Sequence, residues 1–159
     1  MLSIRPATAN DVSVLKELIY ELAEYERERD LVTITETDLV RDGFGAVPKF
    51  RALIAEWHGQ LAGYALFYGL YSTWEGRPGL FLEDLFVRSQ YRSNGIAKAL
   101  LGYVARIAKA EHCYGIRWEV LDWNQSAIEF YHRLGATFLD QWRSAVLTGK
   151  ALERLASLD

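Results

Sequence analysis

Residues 90–97 read Gln-Tyr-Arg-Ser-Asn-Gly-Ile-Ala and join an apolar run, Leu80 to Val87, to a long amphipathic helical pattern. At the start of a helix several backbone N–H groups have no partner within the helix, and the helix dipole adds roughly half a positive charge there. Gly95 and Ala97 keep the approach to these groups open, and Arg92 can add a charge-assisted contact. The stretch therefore predicts a strand, turn and helix that hold a phosphate; the alternative is an ordinary turn containing one glycine.

The glycine spacing in this turn excludes two common phosphate loops. The chain has no G-x-x-x-x-G-K-[ST] run and no G-x-G-x-x-G run, so nothing supports nucleotide hydrolysis or a Rossmann dinucleotide site. Its pattern is R-x-x-G-x-A, which resembles the [QR]-x-x-G-x-[GA] turn of the Gcn5-related N-acetyltransferases. In that family the turn holds the pyrophosphate of acetyl-coenzyme A, so the resemblance implies acetyl-coenzyme A as co-substrate. The contacts implied in the turn are Arg92, Ser93, Asn94, Gly95, Ile96, Ala97 and Lys98.

Within that family the chain resembles the diamine N-acetyltransferases of the spermidine/spermine and thialysine type, over nearly its whole length. The matching segments occur in the family's order, which makes the set specific. They are Ile4–Thr8, Leu22–Glu26, Asp42–Gly45, Leu82–Val87, Tyr91–Arg92, Trp123–Asn124 and Phe130–Ala136. The resemblance implies a small cationic amine as substrate and a homodimer. Apolar residues from Trp142 to Leu147 also need covering, either by the chain itself or by a partner.

Composition predicts one domain, residues 1–159. Half of the 159 residues are hydrophobic, which is enough for a substantial core. The formal net charge of −3 gives no long-range attraction to nucleic acid or to an anionic membrane. No secretory signal or membrane-spanning run appears, and the lone Cys113 cannot form an internal disulfide, so we expect a cytoplasmic protein. No metal site is expected.

The hydrophobic pattern predicts an α/β fold. The predicted strands are residues 2–6, 51–57, 61–71, 79–87 and 116–121, with two short strands around a bend in 138–147. The predicted helices follow an Asn10/Asp11 cap, a Thr35/Asp38 capping box and Gly95, with a last one at 126–134 ended by Gly135. A tight turn is expected at 58–60. The family resemblance implies a mixed, mostly antiparallel central sheet with helices on both faces.

Acetyl transfer needs a neutral amine, stabilisation of an oxyanion and a proton for the leaving thiolate. By resemblance Tyr131 is the phenol that protonates the coenzyme A sulfur, and a phenol of pKa about 10 is protonated at neutral pH. The alternative is a tyrosine that only packs. Glu83 is the candidate base, acting through water; a solvated strand carboxylate is the alternative. Strict strand alternation predicts that Asp84 points to the opposite face and cannot share that role.

Two further groups of cofactor contacts follow from the resemblance. In the family the segment that corresponds to Leu85, Phe86 and Val87 separates from its neighbouring strand, so backbone amides bind the pantetheine arm and polarise the acetyl carbonyl. Asn124 can bond the pantetheine, or it can simply cap the following helix.

Acidic and aromatic residues are the candidates for the amine site, because carboxylates pair with a cation and indole faces attract it. The candidates are Tyr25, Glu26, Trp74, Glu83, Asp84, Asp140 and Trp142. The alternative is a solvated charged face. The resembled polyamine enzymes carry an acid just before the Trp74 position, whereas this chain has Ser72 and Thr73 there. A short diamine or a lysine-like amine is therefore as strong a candidate as spermidine.

Two other classes stay open at this point. A coenzyme A-binding sensor without catalysis would keep Arg92 and Gly95 but would need no phenol at position 131. A protein or peptide acetyltransferase would need an open groove, against which the three acids Glu26, Glu28 and Asp30 argue. The sequence does not name the amine.

Overall fold

The computed structural model describes residues 1–158, and its centre is a five-stranded sheet. The strands are β1 (Leu2–Pro6), β2 (Arg51–Trp57), β3 (Gln60–Ser72), β4 (Arg77–Val87) and β5 (Ile116–Arg117). They lie in the order β1-β2-β3-β4-β5; the first four are antiparallel neighbours, and β5 runs parallel to β4. The predicted α/β fold with a mixed, mostly antiparallel sheet is confirmed.

Five α-helices accompany the strands in the described residues. They are α1 (Val12–Tyr25), α2 (Glu36–Phe44), α3 (Ile96–Ala110), α4 (Gln125–Arg133) and α5 (Gly149–Ala156). The chain forms two compact units, Met1–Leu121 and a second that begins at Asp122. The sheet and α1 to α3 belong to the first unit, and α4 and α5 belong to the second.

Alternation along the strands gives the sheet two apolar faces, and helices cover both. On one side Leu53, Ala65 and Phe67 pack with Leu100 and Val104 of α3. On the other side the buried partners are Ile54, Tyr64, Leu66 and Phe86 from the strands with Leu15, Leu18 and Leu39 from α1 and α2. Full burial of one such side chain contributes about 1.5 to 3 kcal/mol, so these two clusters fix which strand residues point to which helices.

Local signals set most of the boundaries. Thr35 and Asp38 form the predicted capping box at the start of α2: the Asp38 N–H donates to Thr35 Oγ1 at 3.1 Å, and the Thr35 N–H donates to Asp38 Oδ2 at 3.0 Å. Trp57 pairs with Gln60, so the hairpin turn is the two residues His58 and Gly59, both with positive φ. At α1 the Asp11 carboxylate does not cap the helix; it accepts from the Thr8 N–H one turn earlier, at 2.7 Å.

The strand predictions near the C-terminus are wrong. Only Ile116 and Arg117 of the expected strand 116–121 pair with β4. The expected strands within 138–147 do not form, and α5 was not predicted. Apolar composition suits a strand, but a strand also needs a neighbour to complete its hydrogen bonds. The described residues of the second unit contain no strand that could supply one.

Candidate active site

The turn between β4 and α3 has the backbone geometry of an anion cradle. Ser93 and Gly95 both have positive φ, 65° and 74°, and α3 begins at the next residue, Ile96. The first backbone bond into the helix comes from Ala99, whose N–H donates to the Gly95 carbonyl at 3.0 Å. The N–H groups of residues 96–98 therefore have no carbonyl partner within the helix, and they point outward from its N-terminal end.

The same turn has open space on the side from which a phosphate group would approach. A Cβ built on Gly95 meets no atom within 4 Å, so this side of the turn is open. Only glycine adopts the φ of 74° readily while leaving that space unfilled. Open space, unpartnered N–H groups and the positive end of the α3 dipole together match a phosphate ligand.

Arg92 braces the turn. Its Nε donates to the Val87 carbonyl at 3.0 Å, and its guanidinium carbon lies 4.6 Å from the centroid of the Tyr25 ring at the end of α1. The Asn94 amide donates to the carbonyls of Tyr91 and Arg92, at 3.0 and 3.2 Å. Both side chains thus hold the loop in place. Because Arg92 is exposed, its guanidinium adds positive charge at the turn to that of the backbone N–H groups.

β4 loses one sheet neighbour just before this turn. Its ladder with β5 consists of Leu80 with Ile116 and Phe81 with Arg117, and it ends there. From Leu82 to Val87 the strand pairs with β3 alone. Leu85, Phe86 and Val87 therefore stay paired with β3 on one edge, and only their other edge lies outside the sheet ladder, where backbone groups can bind an extended ligand.

Glu83 is the extra residue of a β-bulge. Leu66 pairs with Asp84 and the next β3 residue, Phe67, pairs with Leu82, so Glu83 has no residue opposite it. A bulge interrupts the period of two. The prediction that Asp84 points away from Glu83 is therefore wrong: both carboxylates reach tyrosines of β3 that lie on its α1 side.

Those two tyrosines hold the two carboxylates. The Tyr64 hydroxyl donates to Asp84 Oδ2 at 2.9 Å, and the Tyr68 hydroxyl donates to Glu83 Oε2 at 2.9 Å. Tyr64 and Tyr68 are four residues apart on one strand, so they share a face. Sequence reasoning missed both tyrosines; their i, i+4 spacing along a strand was the available signal, but the bulge that brings both acids to them is not visible in the sequence.

Glu26 completes an acidic cluster with Glu83 and Asp84. Burial and, after it, the negative charges of Glu83 and Glu26 together raise the pKa of Asp84 to about 6, against the Tyr64 hydrogen bond, which lowers it. Burial and the charges of Glu28 and Glu83 raise the pKa of Glu26 as well. Among the described residues, 1–158, no cationic side chain shifts the pKa of Asp84, so the cluster is arranged to receive a positive charge.

The remaining candidates lie elsewhere. Trp74 is 90% exposed in the turn of the β3–β4 hairpin, and about six strand residues, roughly 20 Å, separate that turn from Glu83. The first unit therefore brings Tyr25, Glu26, Glu83 and Asp84 close to one another but not Trp74.

Four candidates belong to the second unit. Asn124 caps α4, with Oδ1 accepting from the Ala127 N–H at 3.4 Å, so the capping alternative is realised. Tyr131 is 8% exposed within α4. Asp140 and Trp142 are exposed in an irregular segment.

Comparison with known proteins gives the family. Residues 15–136 match the acetyltransferase (GNAT) family. The thialysine N-epsilon-acetyltransferase of Sus scrofa is 40% identical over 164 residues, covering 96% of each chain. A spermidine/spermine N(1)-acetyltransferase-like protein of Homo sapiens is 38% identical over 140 residues, covering 84% of this chain and 20% of that one.

A solved integron cassette protein from the V. cholerae mobile metagenome superposes with a TM-score of 0.80 at 23% identity, covering 99% and 98% of the two chains, which supports the fold. The chain belongs to the GNAT family and is an acetyltransferase. Among residues 1–158 no helix is long and apolar enough to cross a membrane.

Proposed function

We propose that the protein transfers the acetyl group of acetyl-coenzyme A to a primary amine of a small cationic substrate, such as a diamine, a polyamine or a lysine-like amine. The observation that carries the proposal is the acidic cluster of Glu26, Glu83 and Asp84 on one side of the sheet, where no cationic side chain of the described residues acts on Asp84. The relatives named for thialysine and for spermidine/spermine support the same substrate class.

At the cofactor end, the residues of the turn bind the pyrophosphate through backbone N–H groups, and Arg92 adds charge. When bound, acetyl-coenzyme A supplies the activated acetyl thioester. The edge of Leu85 to Val87 that faces away from β3 offers amides to the pantetheine and to the thioester carbonyl, which would stabilise charge developing on its oxygen. Asn124 caps α4 and can contribute a further polar contact.

At the amine end, the substrate must lose a proton before it attacks. Alkyl ammonium groups of the lysine type have a pKa of about 10.4, so most of the amine is protonated at neutral pH. Glu83 accepts that proton through water, and Asp84 and Glu26 hold the substrate's positive charge. Tyr25, Asp140 and Trp142 are proposed as further substrate contacts, whereas Trp74 lies too far from Glu83 to be one of them in the first unit.

At the leaving group, we assign Tyr131 to protonate the departing thiolate. Tyr131→Phe keeps the ring and deletes the acidic hydroxyl. We expect turnover to fall by about 10²-fold or more, the usual effect of losing a general acid, with the dissociation constant of acetyl-coenzyme A nearly unchanged. Steady-state kinetics with an accepted amine and calorimetry with coenzyme A measure the two quantities. Full activity in Tyr131→Phe would overturn the assignment.

Two alternatives are separated by one screen. Diamines, polyamines, lysine analogues and lysine-containing peptides are tested for release of coenzyme A. Acetylation of peptides in preference to every free amine would favour a protein acetyltransferase. Tight coenzyme A binding with no turnover on any amine would favour a sensor module.

Assembly is part of the proposal. We expect one domain spanning residues 1–159 in a cytoplasmic homodimer, supported by exposed apolar side chains of the C-terminal segment that include Trp142, Val146 and Leu152. Light scattering at micromolar concentration should show twice the 18.2 kDa chain mass. An 18.2 kDa particle alone would contradict it.

A further inference from the structure

We infer that Tyr64 is a positioning residue for the acetylation reaction, whose buried hydroxyl fixes Asp84 in its charged form as the contact for the substrate ammonium group. The inference rests on the proposed function, because it assigns how one residue of that amine site works. It adds a residue of β3 that lies beneath the site.

The geometry makes Tyr64 a rigid donor. Its side chain is 0% exposed and packs among α1, β2 and β4 residues such as Leu18, Ile54 and Phe86. Its sheet partner is Phe86, yet its hydroxyl reaches Asp84, two residues along β4, at 2.9 Å. The ring cannot swing without opening the core, so the hydroxyl oxygen is held in place beside the half-buried carboxylate that accepts its hydrogen bond.

The charges around Asp84 show what the hydroxyl opposes. Glu83 on β4 and Glu26 at the end of α1 both disfavour a second negative charge, as does burial. In the part of the chain that the structure describes, Tyr64 on β3 is the one group that lowers the pKa of Asp84. Tyr68, also on β3, donates to Glu83, and Glu28 acts on Glu26. The Tyr64 hydroxyl therefore keeps Asp84 ionised at neutral pH, where its pKa of about 6 leaves a narrow margin.

Removing the Tyr64 hydroxyl should change the pKa of Asp84, an effect that is not expected if Tyr64 only packs. In Tyr64→Phe the ring remains, but the carboxylate loses its donor, so the pKa of Asp84 rises from about 6 toward neutrality. The neutral acid no longer attracts an ammonium group. At pH 6.5 to 7 the enzyme should therefore bind the amine more weakly, whereas well above pH 8 it should regain the wild-type value.

The test is the pH profile of kcat/KM for an accepted amine in Tyr64→Phe. We expect the acidic limb to move up by about half a pH unit or more, the KM for the amine to rise several-fold at pH 7, and the KM for acetyl-coenzyme A to stay constant. Tyr103→Phe on α3 is the matched control and should leave the profile unchanged. An unshifted acidic limb, or an equal loss at every pH, would overturn the inference.

A second measurement keeps the inference separate from the proposed function. Carbon-13 NMR of labelled aspartate, with the Asp84 signal assigned from Asp84→Asn, reports the pKa of Asp84 directly in both proteins. An upward shift in Tyr64→Phe supports the coupling even if no amine is acetylated, in which case the proposed function alone fails. An unchanged Asp84 titration in folded Tyr64→Phe overturns the inference whatever the activity.

Discussion

The bulge at Glu83–Asp84 and the turn at residues 92–97 lie within fifteen residues of each other, yet they prepare for ligands in opposite ways. The turn presents backbone N–H groups, and its key residue, Gly95, contributes by having no side chain. The bulge presents two carboxylates, and each depends on a tyrosine from the neighbouring strand. On the proposed function, the turn binds an anion through local backbone groups, and the bulge binds a cation through side chains that only the tertiary structure brings together.

The largest effect that this contrast predicts is on cofactor binding. Gly95→Val should weaken coenzyme A affinity by at least about tenfold, or 1.4 kcal/mol, because the side chain fills the open face of the turn. Titration calorimetry measures it. Gly76→Val is the matched control, since Gly76 also has positive φ, 66°, and open space around it, but lies in the β3–β4 hairpin turn. Equal coenzyme A affinity in folded Gly95→Val and Gly76→Val would contradict the assignment of this turn as the pyrophosphate site.

The second prediction separates the two carboxylates of the bulge. Asp84→Asn should raise the KM for the amine by about five- to tenfold near pH 7.5, since one favourable charge contact is lost. Glu83→Gln should lower kcat/KM most at low pH, where more of the amine is protonated and needs a base. Neither change should alter the KM for acetyl-coenzyme A. If the KM for acetyl-coenzyme A rose as much as the KM for the amine, the assignment of the turn to the cofactor and of the bulge to the amine would be wrong.

The smallest predicted effect is on stability, and it has an unusual sign. The pKa of Asp84 is about 6 in the fold against an ordinary 3.8, so the folded state binds more protons between these values. Ionising Asp84 therefore costs folding free energy, a cost that appears as the pH rises through about 4 to 6 and is complete above it.

Asp84→Asn should thus raise the melting temperature at pH 8 but not at pH 4, by about 2 to 4 °C for each kcal/mol regained. Asp11→Asn is the opposite control. Its pKa is about 2 because it pairs with Arg5, so its charge stabilises the fold at pH 8 and the substitution should lower the melting temperature there. Differential scanning calorimetry compares the two; a fall in both variants at pH 8 would contradict the prediction.

The sequence by itself determined the turn, because glycine position, helix start and the preceding strand are all local. It also predicted β2, β3, β4 and the Thr35 capping box, since hydrophobic period and capping residues act over a few positions. It placed Glu26, Glu83 and Asp84 among the candidates by charge and resemblance.

Only the tertiary structure decided how those acids are arranged. The bulge shifts the register of β4 against β3, so Asp84 joins Glu83 on the α1 side, where strict alternation puts it on the other. The part that Tyr64 plays depends on its hydrogen bond to Asp84, a contact between residues 20 positions apart in the sequence. Residues 138–147 form no strand for a related reason: a strand exists where a neighbour completes its hydrogen bonds, and neighbours are set by the whole fold.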